Sequence, residues 1–409
     1  MFLLKTKYFN KNNIIKGFTT AFLLSCFIYL AYFNIEIKII NSILGIIGIY
    51  LLLSNNKYQM ASSGFFMGLF WCNWMAVSLQ YYDLIYIFPL VLIGISLVYA
   101  LIFYILAIKN SIYFKAIAIF IFTFIAPFGF NWMKLELIFV DSYFSTSKIA
   151  FIVILISFVI FEVLKKYNFL ALFLLIFALD FSKKEDIPAP KLDIFMPQTY
   201  VSQDLKWQKE NLHVLIEDNF SLIQTAINEK KDLIILPETS FALVLNTKKD
   251  LMHRLIELSN EINIVLGSLY YENKEIFNAT YLFKQGSFEV AKKVVLVPFG
   301  EEIPLPKFFV DLINNIFYDG AVDYSKAQKP TDFIINDTKF RNAICYEGTT
   351  DKIYENLDDV KYIIMTSNNA WFTPSIEPTL QHLLLKYYSK KYSVMIFHTV
   401  NGSLNNIYK

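Results

Sequence analysis

Cysteine and histidine are scarce in this chain. Cys26, Cys72 and Cys345, with His213, His253, His382 and His398, are all that 409 residues provide. A single cysteine in the C-terminal half excludes an internal disulfide there and leaves no CxxC pair for zinc. The histidines show no metal-ligand spacing, so metal catalysis is not expected and no metal site is assigned. Charge of one sign is also lacking: the formal net charge is +2, which leaves no basic surface broad enough for nucleic acid. Apolar residues are what the chain has in excess. They make up 56% of it, with a mean hydropathy of +0.43, above that of an ordinary soluble domain.

That excess is uneven. Residues 14–181 hold almost all of it, whereas 182–409 reads as a soluble α/β sequence. The expected organisation is therefore a membrane domain over 1–181, a charged, proline-bearing linker "SKKEDIPAPK" at 182–191, and a second domain over 192–409. A helix needs roughly 20 apolar residues to cross a bilayer. About seven such runs are visible: 16–34, 37–54, 61–80, 84–108, 112–128, 148–164 and 167–181. The first follows Lys5, Lys7, Lys11 and Lys16 with no A-x-A-like site after it, so an uncleaved anchor is expected. The segment 127–144, broken by Pro127, Gly129, Lys134 and Glu136, reads as an interfacial or re-entrant piece, with Trp132 and Tyr143 suited to the headgroup level, or as an ordinary loop.

Lysines orient the bundle. With a cytoplasmic N-terminus, one side collects Lys5, Lys7, Lys11, Lys16, Lys57, Lys109, Lys115, Lys165 and Lys166. The other collects only Lys38, Lys134 and Lys148, nine against three. Seven crossings then put the second domain outside the cytoplasm. Lys183 and Lys184 run against the rule, which long translocated domains obey weakly.

In the second domain, apolar β-rich runs alternate with amphipathic helical ones. Strands are expected at 192–198, 232–238, 262–271, 278–284, 288–296, twice within 332–347, and at 360–369 and 393–400. Helices are expected near 207–230, 248–261 and 376–391. Such alternation indicates an α/β sheet covered by helices, and open α/β sheets place their sites beyond the carboxyl ends of strands. Glu238 ends "DLIILPE", Lys293 lies in "AKKVVLVPFGEEIP" and Cys345 ends "RNAICYE". Each alone is an ordinary polar strand cap, and a cysteine is also a small hydrophobe. Together they form a working set for acyl transfer. A thiol is a strong nucleophile only as thiolate, a carboxylate can take its proton, and an ammonium can hold the thiolate and an oxyanion.

"LPETSF", "KKVVLVPFGEEIP", "AICYE" and "TSNNAWF" resemble, in that order and at similar spacings, the motifs of the nitrilase (carbon–nitrogen hydrolase) superfamily. Within it the "VPFGE" and "SNNAWF" forms, behind a multi-span bundle, are similar to the apolipoprotein N-acyltransferases. The resemblance implies an α-β-β-α sandwich on the periplasmic side of a bacterial inner membrane. It implies Glu238 as general base, Lys293 as stabiliser of the tetrahedral intermediate and Cys345 as nucleophile, with no cofactor. Cys345 would take an acyl chain from a phospholipid and pass it, by ping-pong kinetics, to the α-amine of an S-diacylglyceryl cysteine on an apolipoprotein. Glu301 matches the family's second glutamate, and Tyr346 and Glu347 match the residues after the nucleophile. Trp207, in "MPQTYVSQDLKW", and Trp371 match aromatic positions near the lipid entrance.

Lys292 competes with Lys293, and would point to the opposite face of a strand. The sequence departs from the family pattern at Asn369, where an acidic residue is usual, and at Gln381-His382, displaced by about one residue. It ends just after "HTVNG", where the resemblance implies a further strand pair and a last membrane helix. Two rival readings stay open: a membrane-tethered amidase or nitrilase in which water attacks the thioester, and a non-catalytic transporter or scaffold. Few charges lie inside the apolar runs, which speaks against a transport pathway.

Overall fold

The computed structural model describes residues 10–164, 168–182, 187–304 and 324–409. The chain forms two compact units. One comprises Met1–Ala126, Trp132–Lys184 and Pro374–Tyr387; the other comprises Pro127–Asn131, Glu185–Thr373 and Tyr388–Lys409.

In the first unit each apolar run contains a helix: α1 (Lys11–Tyr32), α2 (Lys38–Ser54), α3 (Lys57–Cys72), α4 (Phe88–Leu106), α5 (Ile112–Phe122), α6 (Lys148–Val163) and α7 (Asn168–Phe173). Among the described residues, three helical stretches are long and apolar enough to cross a membrane: Lys11–Tyr32, Ile85–Leu106 and Ile112–Gly129. Several of the others are cut short where the backbone tightens. At its end α3 passes into a 3₁₀ stretch, Asn73–Tyr82, and α7 lasts 6 residues before Leu174–Ala178 does the same. Close packing depends on small residues. A Cβ on Gly64 of α3 would lie 2.3 Å from the Tyr99 carbonyl oxygen of α4, and one on Gly68 would lie 2.7 Å from Ser96 Cα.

Of the lysines used above to orient the bundle, two are internal and a third, half-exposed, is paired with a buried carboxylate. Lys115 is buried and donates to the Asn55 carbonyl at 2.8 Å, Lys134 is buried, and Lys148 pairs with the enclosed Glu136 at 2.5 Å. Lys5, Lys7, Lys165, Lys166, Lys183 and Lys184 lie outside the described residues. Trp132 is not at a headgroup surface: it is buried with its ring 4.9 Å from that of Trp74, whereas Tyr143 is exposed.

The second unit is built on two sheets. Sheet one contains β1 (Ile194–Phe195), β2 (Leu233–Ile235), β3 (Phe241–Val244), β4 (Asn263–Glu272), β5 (Glu275–Lys284) and β6 (Ser287–Lys292). Its order is β1-β2-β4-β5-β6, with β3 paired to β4. Sheet two contains β7 (Asp332–Ile335), β8 (Thr338–Ile344), β9 (Tyr362–Asn368), β10 (Met395–Asn401) and β11 (Asn406–Tyr408), in the order β11-β10-β9-β8-β7. The unit's helices are the short α8 (Gln203–Lys206), α9 (Lys209–Asn228) and α10 (Lys249–Leu258); the chain between the parallel strands β9 and β10 forms α11 (Glu377–Tyr392), which belongs to the first unit up to Tyr387.

Strand alternation sorts the core into two layers. Leu233, Ile235, Val265 and Leu282 turn inward and meet Phe333, Phe340, Ile364 and Phe397 of the other sheet. Their neighbours Ile234, Leu236, Ile264, Leu266 and Tyr281 turn outward under Ile216, Phe220 and Ile223 of α9 and Met252 and Leu255 of α10. Each such enclosed side chain contributes about 1.5–3 kcal/mol. The packing gives the order helices, sheet, sheet, and it holds the carboxyl ends of β2 and β8 in place.

Candidate active site

Glu238 sits three residues past β2, where Leu236 N–H still bonds the Val265 carbonyl and Thr239 turns the chain with a φ of +48°. Gly267 of β4 lets this turn approach: a Cβ there would lie 2.6 Å from Glu238 Cα. The Glu238 side chain is mostly buried, and Oε1 accepts from Asn278 Nδ2 of β5 at 2.8 Å.

The strand expected over 288–296 stops at Lys292. Beyond it the chain turns toward the site, and Lys293 N–H bonds the Asn278 carbonyl at 2.9 Å. This separates the two candidate lysines. Lys292 is half-exposed and pairs with Glu272 at 2.5 Å. Lys293 is fully buried, with Nζ 2.7 Å from Glu301 Oε2 and 3.8 Å from Glu238 Oε1. Burial alone would weaken this ammonium's hold on its proton. The nearby Glu301, Glu238 and Cys345 hold it on, above the usual lysine value. Glu301 Oε2 also accepts from Val297 N–H at 2.9 Å, and Oε1 from Asn278 Nδ2 at 3.1 Å. Glu302 faces away, to Lys326 at 2.6 Å.

Cys345 is the first residue past β8 and opens a 3₁₀ turn, Cys345–Thr349. Its φ is +51°, the left-handed region, which strains a cysteine by about 1–3 kcal/mol. Such a conformation persists only where surroundings enforce it, and Glu347 supplies the enforcement. Its Oε1 accepts from Ile344 N–H at 2.8 Å, just before the cysteine. Its Oε2 accepts from Val294 N–H at 2.7 Å and Val295 N–H at 3.1 Å, just after Lys293. One buried carboxylate thus stitches the cysteine turn to the lysine segment. Burial pushes the Glu347 carboxyl up to about 7, against the pull of Lys293 and the three N–H donors. Tyr346 points elsewhere: its hydroxyl donates to the Gly129 carbonyl at 2.9 Å and its ring stacks on Phe130.

Glu238, Lys293 and Glu301 are therefore brought together directly, and Cys345 lies within electrostatic reach of Lys293. Trp207 is exposed immediately after α8, and Trp371 is half-buried at the end of the 3₁₀ turn after β9. Asn278 was not singled out in the sequence, although its amide holds both carboxylates. It lies in "NATYLF", an unremarkable strand pattern, and only pairing across β4 and β6 gives it that position.

A family model for the apolipoprotein N-acyltransferase integral membrane domain matches residues 11–181. An apolipoprotein N-acyltransferase of Wolinella succinogenes is 41% identical, over 95% of this chain and 94% of that one. The protein of the same name from Campylobacter jejuni is 39% identical, over 96% and 88%. Among solved structures, an amidase of the nitrilase superfamily from Nesterenkonia is 12% identical with a TM-score of 0.37, covering 51% of this chain and 74% of that one, too loose a likeness to argue from. Identity at this level over nearly the full length of both chains shows that this chain belongs to the apolipoprotein N-acyltransferase family, as a membrane acyltransferase.

Proposed function

We propose that the chain moves a fatty acyl group from a phospholipid to the N-terminal amine of the S-diacylglyceryl cysteine of an apolipoprotein, through a thioester on Cys345. The observation that carries this reading is the enclosed Lys293 ammonium, held by Glu238 and Glu301 within reach of the only cysteine of the unit. Glu238 takes the thiol proton, and the thiolate attacks the ester carbonyl. Lys293 faces the oxyanion that forms. Collapse breaks the C–O bond, and the proton held by Glu238 leaves with the lysophospholipid. In the second half the amine attacks the thioester carbonyl, Glu238 accepts its proton, and the C–S bond breaks to return Cys345 and release the amide.

In this reading Glu301 fixes the lysine, Glu347 and Tyr346 fix the cysteine turn, and Trp207 and Trp371 meet the lipid. Residues 1–181 form the membrane domain, 182–191 the linker and 192–409 the catalytic domain of a helix bundle joined to an α-β-β-α sandwich. The catalytic domain works on the periplasmic side of a bacterial inner membrane, where both substrates are embedded. About seven crossings and the lysine bias support that side.

The test is to incubate purified protein with acyl-labelled phospholipid and a diacylated lipopeptide. Label on the lipopeptide amine, lost in Cys345→Ser, is expected. Free fatty acid alone, or transfer independent of Cys345, contradicts the reading.

A further inference from the structure

One buried cation has no part in the chemistry above. Lys206, the last residue of α8, is 3% exposed, and its ammonium donates to the backbone carbonyl of Glu238 at 3.0 Å. Asn278 holds the same residue by its carboxylate, and Lys206 holds it by its backbone. The next residue in the chain is the exposed Trp207. The segment that carries both is itself fastened to the ends of β9 and β10. Asn401 exchanges hydrogen bonds with both backbone groups of Val201 at 2.8 Å and donates to Asn368 at 2.9 Å, and Asn368 donates to Gln203 at 2.9 Å. All three amide side chains are buried. A packed ammonium whose partner is a neutral carbonyl is costly to keep in place, and a surface-tethering role would not need it there.

We propose that Lys206 is a positioning residue for Glu238, fixing the turn that carries the base and tying it to the Trp207 segment. The proposal rests on the reading of Glu238 as the base of acyl transfer. Charge supports it. Burial pushes the Lys206 ammonium down to about 8, and the Glu238 carboxylate draws it back up. The other charged group lining the cavity beside it is Asp218 of α9. At neutral pH Lys206 therefore places a second positive charge beside Glu238, whose backbone carbonyl it holds.

The experiment follows acyl-enzyme formation in a single turnover, with full-length protein in phosphatidylethanolamine vesicles carrying labelled acyl chains, across a pH series. Lys206→Met keeps an unbranched side chain one atom shorter and removes its charge and donor. It is expected to slow acylation at neutral pH by about tenfold or more and to move the acid limb up by about one pH unit. Trp207→Ala is expected to raise the half-saturating phospholipid concentration and leave the acid limb in place. A wild-type rate and limb in Lys206→Met would overturn the proposal. A lower rate with an unshifted limb, the pattern that loss of folded protein produces, would overturn it too. Cys345→Ser separates the failures: acylation surviving there overturns the underlying reading and the proposal with it, whereas acylation lost there but untouched in Lys206→Met overturns the role of Lys206 alone.

Discussion

An ammonium enclosed as fully as that of Lys293 survives because two carboxylates surround it. Removing it would leave Glu238 and Glu301 facing each other with little water, at a cost of about 3–5 kcal/mol. Lys293→Ala is therefore expected to lower acyl transfer by at least about 10²-fold and to lower the melting temperature. Lys292→Ala breaks an exposed pair with Glu272, and is expected to leave both nearly unchanged. Equal losses in the two variants, read by the labelled lipopeptide assay and a thermal melt, would contradict the assignment. The sequence left these lysines as neighbours on one expected strand. Their separation was not legible because it depends on where that strand ends. Val294 and Val295 give their N–H groups to Glu347 rather than to a sheet partner, and a contact 52–53 residues away leaves no trace in local periodicity.

At the scale of elements, Glu347 joins the end of β8 to the chain leaving β6, and it is titratable in a useful range. Its folded value of about 7 lies above the ordinary 4.5. Between those values the folded chain holds a proton that the unfolded chain has lost. This contribution to stability is therefore full below about 4.5 and is lost as pH rises through 7. Against Glu347→Gln, which cannot ionise, the wild-type melting temperature is expected to fall between pH 5 and pH 7.5. A constant difference across that range would contradict it. The elements themselves were largely legible. The strands expected at 262–271, 278–284 and 360–369 and the helices near 207–230 and 376–391 match β4, β5, β9, α9 and α11 to within a few residues, because long apolar runs and helical periodicity are strong local signals. The short β3 and β11, of 4 and 3 residues, were missed. Runs so short carry no period, and β3 also breaks register against β4.

At the scale of the whole molecule, hydropathy alone divided the chain into a membrane half and an α/β half, and a membrane-domain family model matches residues 11–181. Composition could not show how far each apolar run stays helical, since the 3₁₀ stretches Asn73–Tyr82 and Leu174–Ala178 continue the runs that α3 and α7 begin. Nor could it show that Lys148 pairs with the buried Glu136. The Glu–Lys–Cys set was legible because its members end or follow strands in a recognisable order. Its support by Asn278, Glu347 and Lys206 was not, because each acts across elements far apart in sequence.

The central claim is a covalent acyl-enzyme on Cys345 that discharges to an amine. The most direct measurement is mass spectrometry of the intact protein after exposure to phospholipid alone, followed by addition of a diacylated lipopeptide. A mass increase of one acyl chain, mapped to Cys345, released by neutral hydroxylamine and transferred to the lipopeptide amine, is the result expected. An unmodified Cys345, an acyl group on another residue, or discharge to water with the lipopeptide present would contradict the account.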